Sequence, residues 1–269
     1  VNQKAHPPQA AWILLEPGAD IPPPDSWALF LDVDGTLIEI ADAPDAVHID
    51  ERIGGLLERL RDRLGGAVAL ASGRSLDVLD RFFSPLELPA AGLHGLERRS
   101  ADGSVSRTDG APALGPARRE LARFAAAHPG TLLEDKSATL ALHYRRAAGA
   151  ESAAREVMEK IRTSLGAAYR VQEGKMVLEL KPHRPNKHTV VEDFMEEAPF
   201  RGRVPVFIGD DITDEEGFAA AQSAGGAGIV VGLEHAGDRT SNARHGLGGV
   251  RELHRWLEAL CDGLADKSP

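Results

Sequence analysis

The chain has 269 residues, 31 Lys and Arg against 41 Asp and Glu for a formal net charge of −10, and one cysteine, Cys261. That acidic balance excludes partners that need a basic field, so neither nucleic acid nor an anionic membrane surface is expected. A single thiol excludes an internal disulfide and a thiolate zinc site, and no apolar run approaches the ~20 residues that span a bilayer, so a soluble, cytoplasmic protein is the expectation.

Pro22, Pro23 and Pro24 set off an N-terminal extension, residues 1–24, from the apolar run Trp27 to Leu31, which reads as a buried strand. Ile53, Leu56, Leu57, Leu60 and Leu64 then recur at helical spacing before Gly65 and Gly66, a stop signal. Ala67 to Ala71 is a second strand, running through Ser72, Gly73 and Arg74 into a helix with Leu76, Leu79 and Phe83. The middle changes grammar: a helix around Leu121 and Phe124, a strand Thr139 to Tyr144, a helix from Ala154 to Leu165 and a strand Met176 to Leu180. A helix Val190 to Met195, a strand Val204 to Ile208, a helix with Phe218 and Ala221, and a strand Ile229 to Val231 restore the first pattern. Leu253, Trp256, Leu257 and Leu260 mark a closing helix that reads as packing. Alternation of this kind predicts an α/β, Rossmann-like parallel sheet with helices on both faces, built from residues 25–104 and 182–269. A smaller α+β lobe, residues 105–181, is inserted into it.

Ligands of open parallel sheets bind beyond the carboxyl ends of the strands, so polar residues at strand exits matter most. Asp32 and Asp34 close the first strand, Ser72 follows the second, and Asp210 and Asp211 the late one. Two residues apart on an extended chain, Asp32 and Asp34 project to one side, and Gly35 lets the backbone turn away. Oxygen ligands such as Asp32 and Asp210 suit magnesium, which takes one or two carboxylates plus substrate oxygens. Taken singly, Asp34-Gly35 also reads as an ordinary turn, Asp214 and Glu215 as acids favouring a helix N-terminus, and Lys187 as a surface lysine.

In order, Phe30-Leu31-Asp32-Val33-Asp34-Gly35-Thr36, Ala71-Ser72-Gly73-Arg74, Lys187 and Gly209-Asp210-Asp211-Ile212-Thr213-Asp214-Glu215 resemble the four motifs of the haloacid-dehalogenase-like (HAD) phosphohydrolases. Gly92-Leu93-His94-Gly95-Leu96-Glu97, the stretches from Leu133 to Lys136 and from Ala141 to Arg145, Gly174-Lys175 through Pro182, and Glu197-Ala198-Pro199-Phe200 narrow the likeness to the trehalose-6-phosphate phosphatases of that superfamily. It spans about Trp27 to Gly232, and departs from the family where Arg184 and His188 replace glycines.

The resemblance implies a mobile cap in the inserted lobe and a magnesium-dependent hydrolysis of a phosphate monoester. Asp32 would be the nucleophile and Asp34 the general acid and base, Ser72 and Lys187 would bind phosphoryl oxygens, and Asp214 would orient groups from behind. The metal would be held by Asp32, Asp34 through its carbonyl, and Asp210. Glu134, Lys136, Arg145, Lys175 and Glu179 fall at the family's sugar-contacting positions, with His94 a further candidate at the core-to-cap junction. The expected partner is a small sugar phosphate, and a functional pairing with a trehalose-phosphate synthase accompanies the resemblance. Two other readings stay open: a capped phosphatase for a different sugar phosphate, and a catalytically silent sugar-phosphate-binding partner of a synthase.

Overall fold

The computed structural model describes residues 13–14, 24–40, 51–107, 114–136, 139–174, 176–183, 185–232 and 241–264. The chain divides into two compact units, one of residues 1–105 and 187–269 and one of residues 106–186.

A nine-stranded sheet carries the first unit. Its order is β1 (Ile13–Leu14), β13 (His245–Leu247), β12 (Ala227–Val231), β11 (Val204–Gly209), β2 (Trp27–Leu31), β3 (Val68–Ala71), β4 (Ala90–Gly92), β5 (Glu97–Arg99) and β6 (Val105–Arg107), where the chain passes to the second unit. Pairing is parallel from β1 through β4 and turns antiparallel between β4 and β5. Every residue of β2, β3 and β12 is buried, which is why these strands read as continuous apolar runs and not as alternating ones.

Alternation is still there, but between two cores. Trp27, Leu29 and Leu31 of β2 join Val68, Leu70, Val206 and Ile208 under three helices, α1 (Glu51–Arg63), α2 (Leu76–Phe83) and α7 (Val250–Gly263), through Leu57, Leu60, Leu79, Leu253 and Leu257. Ala28 and Phe30 point the other way, with Ala69, Ala71 and Phe207, onto α5 (Lys187–Met195) and α6 (Glu215–Ser223) through Val190, Phe194 and Phe218. The alanines on that face of β3 leave room for a cluster of Phe30, Phe194 and Phe200, with ring centroids 5.1–6.0 Å apart.

The second unit is a four-stranded antiparallel sheet, ordered β7 (Leu132–Asp135), β8 (Leu140–His143), β10 (Val177–Pro182) and β9 (Tyr169–Gly174). One face is apolar: Leu140, Leu142, Leu178 and Leu180 pack against α3 (Leu114–Ala127) and α4 (Glu151–Leu165) through Leu121, Met158 and Ile161. The register sets the other face, where Glu134 of β7 and Glu179 of β10 both lie opposite Ala141 of β8.

Four features differ from the periodicity, the first being strands β4, β5, β6 and β13, which at three residues each are too short to show a period. Ile13 and Leu14, inside the predicted extension, pair in parallel with β13 and so belong to the core sheet; two apolar residues are too short a run to be read as a strand. The second boundary falls after Asn186 and not after Lys181, because β10 stays paired with β9 through Pro182, opposite Tyr169. Strands β7 and β9 were absent from the predicted lobe, since their half-exposed sequences, LLED and YRVQEG, carry too few apolar residues to stand out. Among the described residues no helix is long and apolar enough to cross a membrane.

Trp27 at the start of β2 stacks on Trp256 of α7, ring centroids 6.0 Å apart, tying the central strand to the closing helix. Trp256→Ala is expected to lower the unfolding free energy by about 3–5 kcal/mol, read from urea denaturation, with kcat per folded molecule unchanged.

Candidate active site

Strands β11, β2 and β3 are neighbours, so their carboxyl ends bring Asp210, Asp32 and Ser72 together from distant parts of the chain. After β2 the backbone doubles back: the Thr36, Leu37 and Ile38 amides all donate to the Val33 carbonyl, and Gly35 takes φ +83°. A side chain at Gly35 is excluded twice over, by that φ and because a Cβ would lie 2.1 Å from Asp210 Oδ2. The turn that follows the two aspartates is therefore pressed against the carboxylate of a different strand.

Lys187, the first residue of α5, is 3% exposed and reaches Asp32 Oδ1 at 2.7 Å and Asp214 Oδ1 at 2.5 Å. The remaining Asp214 oxygen accepts the backbone N–H groups of Asp210 (3.1 Å) and Asp211 (2.9 Å). Asp214 thus has every polar atom engaged and fixes both the lysine and the loop that presents Asp210. Gly209 permits this approach, since a Cβ there would lie 2.2 Å from Asp214 Cγ. The buried Thr36 hydroxyl lies 3.3 Å from Asp32 Oδ2 and 3.3 Å from Asp210 Oδ1, between the two carboxylates.

The charges in this cluster do not balance. Carboxylate oxygens of Asp32, Asp210 and Asp214 lie within 4.8 Å of one another, and the Lys187 ammonium is shared by Asp32 and Asp214. Burial pushes the Asp32 carboxyl up to about 7 against the pull of Lys187. Burial, with repulsion from Asp32, Asp214 and Asp211, pushes Asp210 up to about 9. Burial also works against the Lys187 ammonium, but Asp214 and Asp32 outweigh it and hold the proton on more tightly than usual. An oxygen-only cluster with excess negative charge fits a hard divalent cation, whose charge offsets the repulsion.

Asp34 is not part of that cluster. Its carboxylate takes a two-point fork from Arg74, Nε to Oδ2 at 2.7 Å and Nη2 to Oδ1 at 2.6 Å. Ser72, 1% exposed, accepts the Arg74 amide on Oγ at 3.1 Å, leaving its own hydroxyl proton to donate. His94 is buried beside this loop, with a left-handed backbone (φ 58°) and its N–H donating to the Ser72 carbonyl at 2.9 Å. That backbone contact makes it a support for the Ser72 loop. His188 stands on α5, half exposed and 3.3 Å from Glu192, so its bulk is taken up outside the cluster.

In the second unit, three of the five predicted sugar contacts come together. Thr139 donates to Glu179 Oε1 at 2.7 Å, and Lys136 Nζ lies 3.4 Å from the same oxygen. His143 Nε2 bonds Glu134 Oε2 at 2.8 Å, and that bond holds the Glu134 carboxyl below its usual range. Arg145 lies on the exposed turn after Tyr144, and Lys175, like Arg184, lies outside the described residues. Thr36, Arg74, Thr139 and His143 were not among the sequence candidates. Thr36, Arg74 and His143 stood inside quoted motifs, but only the packing shows which carboxylates they serve.

A family model described as trehalose-phosphatase matches residues 30–249. The chain is 43% identical over 208 residues to a probable trehalose-phosphate phosphatase of Sinorhizobium fredii, covering 77% of this chain and 78% of that protein. It is 38% identical over 242 residues to the trehalose-6-phosphate phosphatase of Escherichia coli, covering 90% and 89%. Among solved structures, the C-terminal domain of a Candida albicans trehalose-6-phosphate phosphatase superposes with a TM-score of 0.75 at 18% identity, over 88% of this chain and 92% of that one. A Bacteroides thetaiotaomicron phosphatase of the haloalkanoate (HAD) superfamily superposes with a TM-score of 0.61 at 16% identity, over 98% and 100%. At these identities the two superpositions speak for a HAD-like fold.

Asp32 and Asp210 bind protons more tightly in the folded chain than in the unfolded one, so the metal-free fold loses stability as pH rises from the ordinary 3.8 through 7 and 9. Asp210→Asn is therefore expected to raise Tm in chelator-treated protein by several degrees at pH 8 and hardly at all near pH 4, measured by calorimetry.

Proposed function

The chain belongs to the trehalose-phosphatase family, whose named members are phosphoric monoester hydrolases, and we propose that it hydrolyses trehalose 6-phosphate to trehalose and inorganic phosphate through a phosphoaspartyl intermediate on Asp32. The observation that carries the reading is the setting of Asp32, a buried carboxylate at a strand exit that shares an ammonium with Asp214 and a hydroxyl with Asp210.

Asp32 attacks phosphorus through a carboxylate oxygen, and the bond from phosphorus to the sugar oxygen breaks. Asp34 gives its proton to that departing oxygen and then takes one from the water that attacks the phosphoaspartate, so the cycle returns both aspartates to their starting state. Lys187 and Ser72 donate to phosphoryl oxygens from fixed positions, with no rearrangement needed as charge develops. Asp214 keeps Lys187 and the Asp210 loop in place. Asp32 and Asp210, with the Asp34 carbonyl, would hold Mg²⁺, which when bound offsets the charge of the carboxylates and the phosphoryl group.

The polar face of the second unit supports recognition of a sugar. Glu134, Lys136 and Glu179 are oriented by His143, Thr139 and one another, and groups of this kind pair with several hydroxyls at once. A sugar lacking those hydroxyls leaves them unpaired, which is how such a face rejects it. Arg145 and Lys175 are assigned to the same task by resemblance.

The test is phosphate release from a panel of sugar phosphates. Trehalose 6-phosphate is expected to be turned over at least ~10²-fold more efficiently than glucose 6-phosphate; equal efficiencies would overturn the substrate assignment and leave a general sugar phosphatase. Asp32→Asn is expected to lower kcat by about four orders of magnitude while still binding substrate by calorimetry. A silent binding partner would show no turnover to lose. Glu179→Ala is expected to raise KM for trehalose 6-phosphate by about tenfold, with little effect on p-nitrophenyl phosphate, which has no sugar.

A further inference from the structure

Arg74 sits on the loop leaving β3, two residues after Ser72, and its side chain is held from three directions. The guanidinium forks onto both oxygens of Asp34 at 2.7 and 2.6 Å. Its other surface lies over the ring of Phe82 on α2, 4.7 Å from the centroid. The backbone beneath it is fastened at several points. The Arg74 amide donates to Ser72 Oγ at 3.1 Å, and the Arg74 carbonyl accepts the Leu93 amide at 2.9 Å. The Ser72 carbonyl accepts the His94 amide at 2.9 Å, and the Leu76 amide donates to the Glu97 carboxylate at 2.8 Å. Leu93 and His94 both adopt positive φ, 49° and 58°, a conformation that side chains resist. That local cost is what turns two successive N–H groups onto the loop. Gly73 lies against the His94 ring, where a Cβ would come within 3.0 Å of Nε2.

An arginine pairing with an aspartate at the surface is commonplace, but a guanidinium fixed by a ring, a braced loop and a two-point fork has one place to be. Asp34 needs that. Its side chain is 35% exposed, so solvent leaves it room to turn, and the charge at Asp32 repels it. A carboxylate has about four acceptor directions; the fork occupies two and leaves the others for the proton that passes to and from the substrate.

We propose that Arg74 is a positioning residue for phosphoryl transfer, holding the Asp34 carboxylate in the one orientation from which it protonates the departing sugar oxygen and later deprotonates water. This rests on the reading above that Asp34 is the general acid and base. Strand, loop and helix thereby connect two motifs of the sequence, the aspartate pair after β2 and the Ser-Gly-Arg turn after β3, through a single ion pair.

The experiment compares Arg74→Ala, Arg74→Lys, Asp34→Asn and the double variant Asp34→Asn/Arg74→Ala on two substrates. Trehalose 6-phosphate has a leaving group that must be protonated, and p-nitrophenyl phosphate has one that need not be. Arg74→Ala is expected to lower kcat on the sugar phosphate by about 10²-fold, with KM changed less than about threefold. On the aryl phosphate the p-nitrophenolate burst, which reports phosphorylation of Asp32 alone, should stay within about fivefold of the parent rate. In the Asp34→Asn background, removing Arg74 should cost nothing more, because the two act as a unit. Arg74→Lys, which supplies charge without the fork, should recover only part of the loss. Since a half-exposed ion pair contributes little to folding, Tm should move by no more than about 3 °C.

A raised KM with kcat intact would overturn the proposal in favour of substrate binding by Arg74. A loss in the aryl-phosphate burst equal to the loss on the sugar phosphate, or multiplicative losses in the double variant, would overturn it as well. An Asp34→Asn protein that is dead beside an Arg74→Ala protein that is fully active removes this inference alone, whereas wild-type turnover by Asp34→Asn removes the acid–base reading and this one with it.

Discussion

One buried ammonium organises the core of this protein. Lys187 begins α5, Asp32 follows β2 and Asp214 follows β11, and the three meet with contacts of 2.7 and 2.5 Å at a nearly buried point. Removing one partner of such a group typically costs about 3–5 kcal/mol, because the others are left charged where little water compensates them. The constraint propagates outward. Asp214, pinned by the lysine, holds the Asp210 and Asp211 amides, and these set the loop after β11. Gly209 and Gly35 then have to be bare so that the carboxylates can approach.

The same cluster explains the sense of the chain's acidity. A net charge of −10 excludes polyanionic partners and says nothing against one phosphate. Three of the acids are spent in a cluster where burial first, and repulsion from the other members second, raise the affinity for protons, Asp210 up to about 9. Such a site is incomplete without positive charge, and the Lys187 ammonium is already divided between two of its carboxylates. The folded chain stores repulsion that a divalent cation would relieve, and the same cation would offset the negative charge of a phosphoryl group, which gives metal binding and substrate binding one electrostatic cause.

Each unit orders its polar groups by the same device: one face of a sheet or loop is apolar and fixed, so the other is presented with little freedom. In the second unit Leu140, Leu142, Leu178 and Leu180 are anchored against α3 and α4. The strict alternation of β-strands then turns Glu134 and Glu179 to the opposite face, flanking the small Ala141, where His143 and Thr139 fix their carboxylates. In the first unit the strained Leu93–His94 turn plays the corresponding part for Ser72 and Arg74.

Much of this was legible in the sequence because it is local. Buried parallel strands leave continuous apolar runs, crossover helices leave a helical period, and acids at strand exits stand out against both, so the α/β core, the inserted lobe, and Asp32, Ser72 and Asp210 could be found by inspection, while Lys187 stood out only through the family resemblance. Edge and cap strands were not legible: β1 is two residues long, and β7 and β9 are half polar. Nor were partnerships between distant residues. That the Asp34 side chain faces Arg74, that Asp214 acts on Lys187 from 27 residues away, and that the His94 amide braces the Ser72 loop are relations no local pattern displays. The amino-acid sequence by itself determined which residue types arrive at the strand ends, because hydrophobic burial fixes the strands. Only the tertiary structure decided which charge faces which, because that depends on ångström-scale approach between segments and on how much water is left between them.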